Sequence, residues 1–226
     1  MLRFLIISLI AAAGPCVGAS NHALALDEFS SALVSQPRSS IAVKWRLVQT
    51  QINDDATHLA VCRADAEACS IEDKRFEEII DAARARDRLA RIGEINRSIN
   101  LTIRPMSDVR RFGVRDYWST PLQTLRDGAG DCEDYAILKY LALREAGIAA
   151  SDLEFLILRD PVRRADHAVV AVRHDNRWIV LDNRTMVLAD LQSTLQIKRY
   201  RVLAQFSPDG DAQGYATVAL PAFDMM

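Results

Sequence analysis

The chain has 226 residues, 50% of them hydrophobic and 26% charged, with 28 Lys and Arg against 30 Asp and Glu for a net charge of −2. That balance belongs to a folded chain with a sizeable core, and it excludes collagen, coiled coil and disulfide mini-protein. Near-neutral charge gives no electrostatic reason to expect nucleic acid or an anionic membrane surface as the main partner, and no apolar run reaches the ~18 residues of a membrane span.

Residues 1–19 read as a secretory signal. Arg3 and the amino terminus are positive, Phe4–Ala13 is apolar, Gly14-Pro15 breaks the run, and Val17-Gly18-Ala19 supplies small residues for cleavage. Pro15 before Cys16 argues against lipidation. Cleavage after Ala19 is expected to leave residues 20–226 as one exported domain with no further membrane insertion. Cys62, Cys69 and Cys132 then remain. Cys62 and Cys69 flank a short polar stretch, and an oxidising compartment favours a disulfide there, worth roughly 2–3 kcal/mol on the chain-entropy model. No second Cys/His pair completes a metal site with them. Cys132 is left alone, which makes it either buried and inert or a reactive nucleophile.

Taken in chain order, residues 23–36 suggest a short helix ending at Pro37, and residues 40–60 fit either helix or strand. From Asp73 to about Asn96, Phe76, Ile79, Ile80, Ala83, Leu89, Ile92 and Ile95 recur at helical spacing, predicting one amphipathic helix. Residues 97–127, punctuated by Pro105, Gly113 and Pro121, read as irregular. A helix is predicted from Asp131 to Gly147. The period then changes, predicting strands over Leu153–Leu158, Asp166–Arg173 and Arg177–Leu181, a fourth over 195–205, and a turn from Ser207. Helices first and an antiparallel sheet after them make a single α+β domain.

The densest chemistry is Gly128-Ala-Gly130-Asp131-Cys132-Glu133-Asp134-Tyr135. Asp131 is a good N-cap with an acidic residue at N3, so Cys132 falls in a first helical turn, where free N–H groups and the helix dipole favour a thiolate. The bland reading is a capped helix with a packed cysteine. His167 opens one predicted strand and Asp182 closes the next. A hairpin turn at 174–175 sets them opposite, one at 175–176 sets them diagonal, and both registers keep them on one face. A carboxylate that orients an imidazole is what a Cys–His mechanism needs. His174, in the turn, is the weaker competitor.

The order Cys on a helix, then His and Asp on successive strands, is that of the papain/transglutaminase-like core. The blocks Phe112-Gly-Val-Arg-Asp-Tyr-Trp-Ser-Thr-Pro121, Gly130-Asp-Cys-Glu-Asp-Tyr-Ala-Ile137, Asp166-His-Ala168 and Val180-Leu-Asp-Asn183 resemble the LapG-type family of bacterial transglutaminase-like cysteine proteinases. The resemblance spans roughly residues 40–205. It implies catalytic Cys132, His167 and Asp182, with the cysteine at a helix N-terminus packed on an antiparallel sheet. It also implies a periplasmic endopeptidase acting on the N-terminal region of a large surface adhesin in biofilm control. An inner-membrane receptor responsive to cyclic-di-GMP would sequester it.

Asp131, Glu133 and Asp134 crowd the nucleophile with carboxylates that oppose a thiolate. A hard cation bound by oxygen would neutralise them. The family's Ca²⁺ site maps to Asp131 and Glu133, with Asp134 a further candidate; a solvated acidic turn without metal is the alternative. Trp118 and Tyr117 either wall the cleft or pack. Two rival functions share these residues: acyl transfer to an amine, as a transglutaminase or amidase, and a non-enzymatic Ca²⁺-dependent binding module.

Overall fold

A computed structural model describes residues 38–207. The predicted signal and the helix expected over 23–36 lie outside the described residues, as does the chain after 207. The fold is α+β, as the sequence indicates. Helices α1 (Arg38–Ala64), α2 (Ile71–Arg84) and α3 (Arg88–Thr102) come first. A two-residue strand β1 (Arg104–Pro105), short helices α4 (Asp108–Phe112) and α5 (Pro121–Asp127) and a second short strand β2 (Ala129–Gly130) follow. Helix α6 (Cys132–Glu145) leads into β3 (Leu153–Asp160), β4 (Ala165–His174) and β5 (Arg177–Leu181). The described chain ends with β6 (Ala189–Asp190), α7 (Leu191–Lys198) and β7 (Arg201–Phe206).

The stretch at 40–60 resolves as helix because Trp45, Val48, Ile52 and Leu59 form one buried stripe at helical spacing. Trp45 fixes that helix to the core, stacked on Phe155 at 4.5 Å and edge-on to Tyr140 at 5.3 Å. Cys62, near its end, is disulfide-bonded to Cys69. Cys132 is a free cysteine.

The single helix expected from 73 to 96 is two. Asp87 starts the second by accepting the Ala90 N–H at 3.0 Å. Arg91 spans the break, donating to the carbonyls of Arg84, Arg86 and Ala146. Both helices bury their apolar stripes in the same core, so the periodicity runs on across the break.

The region expected to be irregular, 97–127, also contains structure. α5 begins on Thr120, whose hydroxyl accepts the Gln123 N–H, with Pro121 in the first turn. β1 and β2 pair in parallel, Arg104 with Ala129 and Pro105 with Gly130. That pairing carries the segment leading to Asp108 alongside the segment leading to Cys132.

α6 is buried along nearly its whole length, Asp134 to Leu143, with no polar face, as a helix at the centre of a domain must be. It packs against β4. The main sheet has the order β6-β5-β4-β3-β7 with antiparallel neighbours. β4 is covered on both faces, which is why Ala168 to Val172 shows no alternation. The face away from the large helical core carries Leu156, Leu158, Val169, Ala171 and Val180, covered by Leu191 and Leu195 of α7.

The fourth strand expected over 195–205 is corrected: its first part is the end of α7 and only Arg201–Phe206 is strand. Asp190 caps α7 through the Ser193 N–H, and Arg199 ends it in the left-handed region. Ile197, on α7, is 82% exposed.

Candidate active site

The β4–β5 turn is Asp175-Asn176, both at positive φ, and it pairs His174 with Arg177. These are residue types that tolerate such a turn. Of the two registers, this is the diagonal one. His167 and Asp182 lie on one face, and His167 Nε2 is 2.9 Å from Asp182 Oδ1. Both side chains are buried. With Nε2 directed to the carboxylate, Nδ1 is buried without a hydrogen-bond partner. His174 lies apart from this pair, beside Asp175 at the turn.

Asp182 is held from several sides. Its Oδ1 also accepts the Arg184 N–H at 2.9 Å, and its Oδ2 accepts Lys198 Nζ at 3.2 Å. Burial opposes its charge, but the His167 bond, the Arg184 N–H and the Lys198 ammonium outweigh it, so the carboxyl titrates well below the usual range. His167 therefore faces a carboxylate, not a carboxylic acid.

Cys132 opens α6, capped by Asp131. Its half-buried thiol approaches Glu133 Oε2 at 2.9 Å, and the Ala168 N–H is directed at the sulfur. Ala168 follows His167 on β4, so the thiol lies against the strand position next to the imidazole. Burial pushes the thiol pKa up, and the charge and hydrogen bond of Glu133 push it further; the Ala168 N–H works against them.

Asp134, one turn into the helix, points back under the loop and is fully buried. Ser119 N–H donates to its Oδ1 at 2.8 Å, Asp131 N–H to its Oδ2 at 3.3 Å, and the Arg111 guanidinium also pairs with Oδ2. This approach requires glycine at 130: a Cβ there would sit 2.6 Å from the Asp134 Cβ. Burial, opposed by the Ser119 N–H and Arg111, pushes Asp134 up to about 6.

Asp108 joins this group, a residue the sequence reading missed. Its Oδ2 accepts the Tyr117 N–H at 2.5 Å. Ligating atoms of Asp108, Asp131 and Asp134 lie within 4.8 Å of one another, as do those of Asp131, Cys132 and Glu133. Asp108 Oδ1 and Asp131 Oδ1 are buried with no hydrogen-bond partner. Asp131 is pushed up to about 9 by burial and then by its acidic neighbours, Glu133 first. Oxygen-only donors, mutual repulsion and two orphaned carboxylate oxygens suit a hard divalent cation of the Ca²⁺ kind. The signal for Asp108 was available only in three dimensions, since the β1–β2 pairing and α4 bring it here from 23 residues away, the separation that Arg111 also spans to Asp134.

Of the aromatics, Trp118 packs on the core against Phe155 at 5.4 Å, while Tyr117 is 42% exposed and touches Phe112. No helix among the described residues is long and apolar enough to cross a membrane.

A profile of the bacterial transglutaminase-like cysteine proteinases matches residues 48–208. Among solved structures, calcium-bound LapG of Legionella pneumophila aligns with a TM-score of 0.56 at 18% identity, over 66% of this chain and 84% of that one. The EGTA-treated form of the same protein aligns with a TM-score of 0.54 at 19% identity, over 67% of this chain and 81% of that one. At such identities the likeness is one of fold. No curated protein sequence matches the chain.

Proposed function

The chain belongs to the bacterial transglutaminase-like cysteine proteinases, and on that premise we propose that it is an exported, Ca²⁺-dependent cysteine endopeptidase with the triad Cys132, His167 and Asp182. One observation carries this reading most: the His167–Asp182 bond leaves Nδ1 as a bare, buried nitrogen on the strand that meets the Cys132 sulfur. His167 Nδ1 takes the thiol proton, and the sulfur attacks the scissile carbonyl. The imidazolium is stabilised by Asp182 and returns its proton to the leaving amine, giving a thioester on Cys132. Water, deprotonated by the same nitrogen, releases the acid. The oxyanion is met by backbone N–H groups at the start of α6, which have no partners within the helix.

Asp131 and Asp134 would hold Ca²⁺ together with Asp108, and Glu133 stands at the edge of that group beside the thiol. When bound, the ion supplies positive charge that offsets the carboxylates around Cys132. The solved structures of Legionella pneumophila LapG, one calcium-bound and one EGTA-treated, support this choice of ion. The residues themselves cap the helix, shape the loop through Gly130 and keep Arg111 against Asp134.

The Cys62–Cys69 bond supports an oxidising compartment, and with the segment at 1–19 it supports a periplasmic location. The family resemblance further supports a surface adhesin as substrate and a cyclic-di-GMP-responsive receptor as regulator. The test is incubation of wild type and Cys132→Ala with a peptide library, with and without a dansylated amine. New amino termini that appear only with wild type and need Ca²⁺ are expected. Amine incorporation in place of cleavage would make the enzyme an acyltransferase, and no Cys132-dependent product would make it a binding module.

A further inference from the structure

Lys139 is a fully buried cation on α6, two helical turns from Cys132 and on the same face of that helix. Its Nζ donates to Asn96 Oδ1 at 2.8 Å and lies 5.8 Å from the face of the Tyr135 ring. Burial lowers its pKa to about 7, with the charge of Asp182 acting the other way. A buried cation with no carboxylate bonded to it lowers stability relative to an apolar side chain of the same size. Something other than stability therefore accounts for it.

The contacts beyond Lys139 indicate what that is. Asn96, fixed by the lysine through its oxygen, donates through Nδ2 to the carbonyls of Thr185 at 3.2 Å and Met186 at 3.4 Å. Asn100, one turn further along α3, donates to the carbonyls of Asp182 and Thr185, both at 3.0 Å. The segment from Asp182 to Met186 has no strand partners of its own. We propose that Lys139, Asn96 and Asn100 are positioning residues that tie the loop carrying Asp182 to the helix carrying Cys132, so that the two ends of the triad share one rigid reference. This rests on the triad reading above. Lys139 donates to the Asn96 amide oxygen and holds it toward α6, which leaves the NH₂ for the loop carbonyls, groups that can only accept.

The test follows iodoacetamide alkylation of Cys132 by peptide mapping, in calcium-containing buffer, for wild type, Lys139→Met, Asn100→Ala, Asp182→Asn and the two double variants. Lys139→Met should slow alkylation about tenfold and Asn100→Ala about threefold. Neither should slow it further in the Asp182→Asn background, because residues acting through one another are non-additive. The thermal midpoint of Lys139→Met should stay level or rise, which a merely structural lysine would not allow. Asn100 is half-buried and decides the matter if Lys139→Met does not fold. Unchanged rates in the single variants, or losses that multiply with Asp182→Asn, overturn the brace while leaving the triad intact. If Asp182→Asn itself alkylates at the wild-type rate, the triad reading falls and the brace with it.

Discussion

The proposed site contains two sets of carboxylates, and they are held in opposite states. Asp182 stands alone, bonded by His167, the Arg184 N–H and Lys198, and is kept ionised far below the usual carboxylate range. Asp108, Asp131 and Asp134 stand together, with one cation, Arg111, bonded to Asp134, and with Asp131 pushed up to about 9. The difference lies in partners, not in depth. The first site is complete within the chain, whereas the second has more negative charge than its own residues neutralise. The triad should therefore tolerate chelation structurally, and the acidic cluster should not.

The comparison breaks first at the triad. Cys132→Ala and His167→Ala should each lower turnover by at least about 10⁴-fold with far-UV circular dichroism unchanged, and Asp182→Asn by about 10²- to 10³-fold. Equal activity in His167→Ala would move the base elsewhere.

Chelation is the next largest effect. EGTA should lower both the cleavage rate and the thermal midpoint, on the order of 10²-fold in rate. Ca²⁺ should restore both and Mg²⁺ should do so poorly, because Mg²⁺ needs a tighter octahedral shell. Asp108→Asn should weaken the Ca²⁺ response, measured as the concentration giving half recovery. A midpoint indifferent to EGTA would make the cluster a capped helix and nothing more.

The signs of the two pH dependences sharpen the contrast further. Asp131 and Asp134, raised to about 9 and about 6, bind protons in the folded chain that the unfolded chain has lost. In EGTA, stability should therefore rise as pH falls from about 9 toward 5, and Ca²⁺ should flatten that slope. Asp182 is depressed, so its contribution is present above the ordinary carboxylate pKa and is lost only as pH falls below it. Thermal midpoints across pH, with and without EGTA, read both trends.

What was legible in the sequence divides along the same line. The triad sits on elements set by local signals: an N-cap before Cys132 and a turn-forming Asp-Asn between two β-branched runs. Even the choice of register did not matter, since both kept His167 and Asp182 on one face. The acidic cluster depends on a two-residue parallel pairing and a five-residue helix, neither of which leaves a periodic trace. The same applies to Lys139 and Asn96, which meet only once α3 and α6 are packed together. The strand expected over 195–205 failed because Asp190 and Arg199 delimit a helix, and Ile197 lies on its exposed face beside Gln192, Ser193 and Gln196.

Two smaller effects bound the comparison. Lys198→Met removes the Oδ2 partner of Asp182; the lysine is 37% exposed, so a loss of only about threefold in kcat is expected, with KM unchanged. Cys69→Ser opens a short loop that supplies no residue to either carboxylate site. It should lower the thermal midpoint by about 5 °C, from roughly 2 kcal/mol of lost constraint, and leave kcat/KM unchanged.

The most direct measurement is acylation of Cys132 itself. With 4-nitrophenyl acetate in calcium-containing buffer, peptide mapping of quenched samples should show an acetyl thioester on Cys132, formed in a burst with release of nitrophenolate. The burst should be absent in Cys132→Ala and slowed at least about 10²-fold in His167→Ala. An acetyl group found elsewhere, or a burst of equal rate in His167→Ala, would contradict the assignment of Cys132 as a nucleophile served by His167.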